Sequence, residues 1–263
     1  MNLSFSKFHG AGNDFILIDN RNNSTRLSAL QIGQLCHRRF GIGADGLIML
    51  NPGRDDFSFV MDFYNSDGLK SCMCGNGGRC LAAFADSLGI TSLHFLASDG
   101  PHTARILSHY ANDWSVELQI KEVDQITDYA ANSYIVDTGA PHLVVFVEDL
   151  SATDVFAEGN FWRHHKDFAP DGLNVNFVQI TGNGKFSIRT FERGVEAETW
   201  ACGTGSTAAA IAARRFTKSD RTHWDIKARG GRLSVDYTVE GSICRQVMLT
   251  GPARLVFEGV AEI

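Results

Sequence analysis

The tetrad Cys-Gly-x-Gly occurs twice, as Cys74-Gly75-Asn76-Gly77 and as Cys202-Gly203-Thr204-Gly205, with the cysteines 128 residues apart in a chain of 263. A separation near half the chain length points to an internal repeat. The strand-like run 57–65 ends nine residues before Cys74, and the run 185–193 ends nine residues before Cys202. Each tetrad then opens a stretch of small apolar residues that reads as a helix. Strand, short loop, Cys-Gly-x-Gly and buried helix therefore recur in the same order. Two halves of one molecule would each present a thiol at a helix N-terminus.

That placement has chemical consequences. A helix N-terminus carries about half a positive charge and N–H groups outside the helix ladder. Such a setting moves a cysteine from its ordinary pKa of ~8.5 toward neutrality. The glycines let the backbone approach a ligand and offer its N–H groups to an anion. Two such thiols on one carbon can remove a proton from one face and return one to the other, as in a racemase or epimerase. A carboxylate held by the N–H groups would be bound more tightly as negative charge flows onto it.

Composition narrows the remaining classes. Hydrophobic content of 44% and charged content of 21% are those of an ordinary soluble globular protein. A net charge of −6 and a pI near 5.8 argue against a nucleic-acid partner. The first fifteen residues lack a signal-peptide core, and no apolar stretch reaches the ~18 residues that span a bilayer. A cytoplasmic protein without membrane attachment is expected. Cysteines 36, 72, 74, 80, 202 and 244 are then expected reduced, with no disulfide framework.

Period-two alternation predicts strands over 57–64, 114–120, 134–137, 143–147, 185–192, 232–237 and 246–250. A helix over 28–39 begins at the N-cap candidate Ser28. Leu81, Phe84, Ala85 and Leu88 lie on one helical face that ends at Gly89. The run 208–216 is small and apolar all round up to Arg214, as in a buried helix. Polar residues at 124–131 separate two strand-like runs and place the boundary between the halves.

Other readings of the same residues compete. Cysteine is commonly a core residue, and Cys36, Cys80 and Cys244 are read that way. Cys72, Cys74 and Cys80 with His94 could hold a metal, but Cys202 has no partner at zinc spacing, so no metal site is expected. Gly41-Ile42-Gly43-Ala44-Asp45-Gly46 matches a dinucleotide fingerprint in letters only. A helix-like run precedes it and the strand 47–50 follows, the reverse of the required order, so it is read as a glycine-rich turn. His164-His165 is read as surface.

Taken in order, Gly10-Ala11-Gly12-Asn13-Asp14-Phe15, Gly41 to Gly46, Cys74 to Cys80, Glu192-Arg193-Gly194 and Ala201 to Gly205 resemble the diaminopimelate epimerase family. The resemblance runs from about residue 7 to the C-terminus. It implies an α+β fold of two pseudo-symmetric lobes, each a mostly antiparallel curled sheet around a central buried helix, with the active site in the cleft between lobes. The lobes are expected at 1–124 and 125–252, with 253–263 returning to the first. The implied activity is cofactor-independent interconversion of LL- and meso-2,6-diaminopimelate, on the route to lysine and peptidoglycan. Members are often homodimers.

Carried over by motif position, Cys74 and Cys202 are the implied acid–base pair. The backbones of Gly75, Asn76, Gly203 and Thr204 are the implied carboxylate cradle. Asn13, Asn65, Asn174, Glu192 and Arg193 match substrate-gripping positions, and His142 and Glu192 match positions that tune the thiols. Two departures fall on substrate recognition: Ala140 stands where many members carry asparagine, and Gly46 where some carry glutamine. Without the resemblance, Asn13 reads as a turn residue, Asn65 and Asn174 as strand ends, Arg193 as a solvated charge and Pro141-His142 as a strand entry. Two alternatives stay open: a racemase or epimerase for another amino acid, such as a proline derivative, and a non-catalytic thiol-pair binding protein of the same fold.

Overall fold

A computed structural model describes residues 2–71 and 73–263; Cys72, one of the metal candidates above, lies outside the described residues. The chain forms two compact units, residues 1–118 with 251–263 and residues 119–250.

The first unit runs β1 (Asn2–Gly10), β2 (Asn13–Asp19), α1 (Ala29–Cys36), β3 (Gly46–Arg54), β4 (Phe57–Asn65), α2 (Gly75–Ser87), β5 (His94–Ala97), β6 (Gly100–Tyr110) and β7 (Asp113–Gln119). Strands β1 to β7 pair in chain order. The last strand of the chain, spanning Ile243–Glu262, contributes its C-terminal part here. Its Gly251 to Arg254 pairs with β7 and its Arg254 to Glu262 with β1, so the sheet returns on itself. Closure leaves no exposed edge between β1 and β7.

Two pairs in this sheet are parallel, β2 with β3 and β4 with β5. A parallel pair needs a crossover, and α1 and α2 are those crossovers. They lie on opposite faces. α2 is buried from Gly75 through Ala85 on every side, which is the signature of an internal helix. α1 packs Ile32 and Leu35 on Ile16, Ile18, Leu47 and Met49. The alternate residues Phe15, Leu17, Ile48 and Leu50 are buried as well. Covered on both faces, β2 and β3 therefore read as unbroken apolar runs.

The second unit repeats the plan. It contains β8 (Ile126–Ala130), β9 (Ser133–Asp137), β10 (Pro141–Phe146), α3 (Val155–Arg163), β11 (Asn174–Gly182), β12 (Lys185–Glu192), β13 (Ala197–Thr199), α4 (Gly203–Phe216), β14 (His223–Ala228), β15 (Gly231–Glu240) and the first part of β16 (Ile243–Glu262). β10 and β11 are parallel around α3, and β12 and β14 are parallel around α4. The order β2-α1-β3-β4-α2-β5 is thus matched by β10-α3-β11-β12-α4-β14. Most other pairings are antiparallel, so each unit is a mostly antiparallel curled sheet around one buried helix. α4 is sheathed along its middle: Ala208, Ala209, Ala210, Ile211, Ala212 and Ala213 have no exposed surface. Alanine lets the surrounding strands approach the helix backbone.

Several elements differ from the sequence reading, each for a local reason. Ser28 does cap α1, with a reciprocal bond pair to Gln31, but the helix stops at Cys36. His37 turns extended, and Gly43 takes a positive φ of 80°. Arg38 and Arg39 therefore lie in the turn. Residues 126–130 form the strand β8, not a polar separator: they pair antiparallel with β9, Ile126 and Tyr129 half-buried and Thr127, Asp128 and Ala130 exposed. The short strand β13 occupies the second of the two matched loops. α3 carries no continuous apolar stripe, although Asp154 caps its N-terminus on Ala157 N at 3.0 Å. Gly89, at a φ of 80°, ends α2 in the left-handed conformation read from the sequence.

The packing of α4 generates a stability test. Ala209→Leu inserts three carbons into a fully enclosed position and should destabilise the fold by about 1–3 kcal/mol. Urea unfolding of the variant, with an unchanged m value, is the measurement.

Candidate functional site

Cys74 is the N-cap of α2 and Cys202 the N-cap of α4, both with extended backbone. The first intrahelical bonds run from Gly78 N to Cys74 O at 2.7 Å and from Ser206 N to Cys202 O at 2.9 Å. The N–H groups of Gly75 and Asn76, and of Gly203 and Thr204, thus lie ahead of the helix ladder, where an anion is favoured. The two helix ends are built differently around this shared frame.

In the first unit, Cys74 is half-buried and its Sγ lies 3.6 Å from Asn13 Oδ1, to which the thiol donates. Asn76 Nδ2 donates to the same oxygen at 3.2 Å. The Asn13 amide is oriented from its other end, where Nδ2 donates to Asp45 Oδ2 at 2.7 Å. Asp45 belongs to a charge cluster. Arg38 bonds both Asp45 and Asp14 at 2.6 Å, and Lys7 pairs with Asp14 at 2.7 Å. Burial alone would raise the Asp14 pKa, but hydrogen bonds from Arg38 and Lys7 outweigh it and hold the carboxyl well below its usual range. Lys7 also donates to the Gly43 carbonyl, so the glycine-rich turn is tied to this cluster. Asn65 ends β4, is exposed, and faces Gly46 across the sheet. A Cβ at Gly46 would come within 2.5 Å of the Tyr64 carbonyl oxygen. Packing therefore sets glycine at this departure from the family pattern.

In the second unit, Cys202 is 7% exposed. Its Sγ accepts from Gly205 N at 3.4 Å and lies 3.4 Å from the Thr204 hydroxyl. Thr138 Oγ1 donates to the Thr204 carbonyl at 3.0 Å and fixes the preceding loop to the first turn of α4. Beneath that turn lies Asn176, whose Oδ1 would be 2.3 Å from a Cβ at Gly205. Only glycine fits there. Asn176 donates to the Leu143 carbonyl at 3.1 Å and accepts from Thr190 Oγ1 at 2.9 Å, so its remaining N–H points at His142 Nδ1, 3.1 Å away. His142 is consequently the Nε2–H tautomer. It has no exposed surface, and burial lowers its pKa to about 3. Its Nε2 has no hydrogen-bond partner among the described residues.

Asn174 opens β11 and clamps two segments: its Nδ2 donates to the Pro141 carbonyl at 3.3 Å, and its Oδ1 accepts from Arg193 N at 2.9 Å. Arg193 is half-buried, and its Nη1 donates to the Gly172 carbonyl at 3.2 Å. Glu192, half-buried, ends β12 and pairs with Ala197 of β13. Ala140 is half-buried in the loop before β10, its carbonyl accepting from Thr138 N at 3.2 Å.

The structure thus ties Asn13, Cys74 and Asn76 into one cluster and Asn174 with Arg193 into another, while His142 sits beside Asn176 at the foot of α4. Asp45, Arg38, Asn176 and Thr138 were not singled out from the sequence. The alternation Asn174-x-Asn176 puts two amides on one face of a strand and was a signal for the second of them. His164 is exposed, as expected for a surface residue, whereas His165, read the same way, is half-buried beside Trp162 and Phe168. Among the described residues, no cluster of three or more His, Cys, Asp or Glu side chains could hold a metal ion. No helix among them is long and apolar enough to cross a membrane.

The sequence profile described as diaminopimelate epimerase matches residues 5–110 and 134–256. The chain belongs to the diaminopimelate epimerase family. It is 47% identical over 260 residues to the diaminopimelate epimerase of Flavobacterium psychrophilum, covering 97% of this chain and 99% of that one. It is 43% identical over 257 residues to the diaminopimelate epimerase of Chlorobaculum tepidum, covering 95% and 98%. Among solved structures, the fold is similar to a phenazine biosynthesis protein of the PhzF family from Bacillus anthracis, with a TM-score of 0.77 at 13% identity and full coverage of both chains. It is also similar to a hydroxyproline epimerase from Agrobacterium vitis, with a TM-score of 0.71 at 14% identity, covering 99% and 92%.

The enclosed histidine gives a pH prediction. Between pH 6.5 and about 3, His142 takes up a proton in the unfolded chain but not in the folded one. Its contribution is fully present above pH 6.5 and is lost as pH falls, at up to about 1.4 kcal/mol per unit. His142→Asn should flatten the acid side of the stability profile between pH 6.5 and 4, read by denaturant unfolding across that range.

Proposed function

We propose that the chain interconverts LL- and meso-2,6-diaminopimelate without a cofactor, by moving an α-proton between two thiols. One cysteine acts as thiolate: its sulfur forms an S–H bond as the α-C–H bond breaks, and the electron pair spreads into the substrate carboxylate. The other acts as thiol: its S–H bond breaks as a new C–H bond forms on the opposite face. Cys74 and Cys202 take these roles, exchanging them in the reverse direction. Their protonation is therefore coupled. The observation that carries this reading is that both tetrads cap buried helices with a thiol in a chain that matches diaminopimelate epimerases over nearly its whole length.

In this reading the N–H groups at Gly75, Asn76, Gly203 and Thr204 hold the reacting carboxylate and bind it more tightly as charge develops. Asn13, Asn65, Asn174, Glu192 and Arg193 grip the two amino-acid ends of the substrate. The guanidinium of Arg193 suits a carboxylate as a two-pronged donor. His142, neutral down to low pH, and Glu192 set the balance between thiol and thiolate. The distal end of diaminopimelate does no chemistry, and its binding energy orients the reacting carbon. The enzyme works in the cytoplasm as a homodimer on a small-molecule substrate, in lysine and peptidoglycan precursor synthesis.

Cys74→Ser or Cys202→Ser should lower epimerisation of LL-diaminopimelate by several orders of magnitude. In deuterated buffer the wild-type product should gain deuterium at one α-carbon. Near wild-type turnover in either variant, or retention of the original hydrogen, would exclude the two-thiol reaction. Activity on a proline derivative and none on diaminopimelate would move the substrate assignment and leave the chemistry.

A further inference from the structure

Arg79 lies in the second turn of α2 and has no exposed surface. Its Nη2 donates to Asn76 Oδ1 at 2.7 Å and its Nη1 to the Gly75 carbonyl at 3.3 Å. Its Nε has no hydrogen-bond partner, and no carboxylate pairs with it, among the described residues. A guanidinium cannot shed its proton in a protein. A buried cation facing only neutral groups is a strongly unfavourable arrangement unless an anion forms nearby.

The groups around it identify that anion. Burial depresses the Arg79 pKa, and the opposing influences are the thiols of Cys80 and then Cys74. Cys80 is fully buried, and burial pushes its thiol far above the ordinary range, so it stays protonated. Cys74 is half-buried at the end of the helix. A continuous hydrogen-bond chain joins it to the cation: Arg79 to Asn76 Oδ1, Asn76 Nδ2 to Asn13 Oδ1, and Cys74 Sγ to the same oxygen.

Among the described residues, little else competes for the charge. On β2, Asp14 acts on this end of the helix but is already paired with Lys7 of β1 and with Arg38. From β6, His109 meets Asp86 at the far end of α2. β3, β4 and β7 present Ile48, Met61 and Leu118 to the glycines of the first turns.

We propose that Arg79 is the resident counter-ion of the Cys74 thiolate, a positioning residue that keeps the deprotonated sulfur populated at neutral pH and holds Asn76 and Asn13 around it. Asn13 Oδ1 accepts from the thiol and favours the protonated form. The helix end and Arg79 favour the thiolate. Their opposition keeps both forms within reach, as a residue that is base in one direction and acid in the other requires. This inference rests on the reading of Cys74 as a proton-transferring thiol.

The test is the pH dependence of iodoacetamide alkylation at Cys74, read by fragment-ion mass spectrometry that separates Cys74 from the other cysteines. The full chain is compared as wild type, Arg79→Met and Arg79→Lys. The wild-type midpoint should fall below the ordinary thiol value of ~8.5. Arg79→Met should raise it by about one unit, a roughly tenfold loss of thiolate near neutrality. Arg79→Lys should recover at least half of that shift. An unchanged midpoint in Arg79→Met would overturn the proposal. If Arg79→Met does not fold, the wild-type profile still decides, since a midpoint at or above ~8.5 would leave no thiolate for the cation to balance. Alkylation needs no turnover, so an active Cys74→Ser variant would sink the epimerase mechanism on its own evidence and leave this profile to be judged separately.

Discussion

The constraint on which the rest depends is that each tetrad opens a helix enclosed by its own sheet. A helix inside a closed or nearly closed sheet cannot satisfy its first N–H groups with water as a surface helix does. At α4 the Cys202 sulfur accepts from Gly205 N, whereas at α2 the Cys74 side chain makes no cap bond and its thiol turns to Asn13. Gly205 lets Asn176 press against the first turn of α4, and Gly77 and Gly78 admit Ile48 and Leu118 against α2. Side chains at these positions would push the strands away and open the helix ends to solvent. The glycines therefore serve packing through one property, the absence of a Cβ.

Topology explains why the arrangement occurs twice. Two parallel strand pairs in each unit demand two crossovers, and only one helix can fill the interior of a curled sheet. α1 and α3 cover the outside, where Ile32 and Leu35 or Val155 meet one face of the strands. α2 and α4 take the inside; α4 is small and apolar over Ala208 to Ala213, and α2 is buried from Gly75 through Ala85 with Asn76 and Arg79 its polar members. Yet the surroundings of the two thiols are not copies. Cys74 has an amide oxygen beside it and a buried cation behind that amide. Cys202 receives an N–H and adjoins a hydroxyl, above a histidine that burial keeps neutral. Equal frames thus carry unequal neighbours, as the proposed exchange of a proton between a thiolate and a thiol would call for.

Much of this was legible from residue order. The repeat, the buried helices, the Ser28 cap and half of the strands follow from period, glycine position and the tetrads, whereas β1, β2, β5, β6, β11, β13 and β14 were not read. α3 escaped because Val155–Arg163 buries only Val155 and Gly159, too little for a stripe. β8 escaped because its exposed face is polar, which in a short strand resembles a linker. Cys74 and Cys202 were marked by recurrence, and Asn13 only by the family resemblance, since its glycine-rich surroundings alone read as a turn. Asp45, Arg38 and Lys7 could not be found this way. Their importance lies in contacts between residues tens of positions apart, and charged residues alone are ordinary surface residues until the fold pairs them. Arg79 is the sharpest case: nothing in its sequence position distinguishes a fully buried guanidinium from a solvated one on a helix.

That hidden network bears on specificity. The fold is shared with a phenazine biosynthesis protein and a hydroxyproline epimerase at 13% and 14% identity, so the architecture does not select the substrate. Selection must come from side chains whose direction is fixed before a ligand arrives. Asn13 meets that condition because one end of its amide is held by Asp45, itself held by Arg38, leaving the carbonyl aimed at Cys74 and Asn76. Asn174 meets it through Pro141 and Arg193. Amides fixed by charges and carbonyls on one side present a defined donor–acceptor pattern on the other. On the function proposed above, each of these amides would meet an ammonium or carboxylate group of the substrate with its direction already set, so that little ordering cost is left for binding.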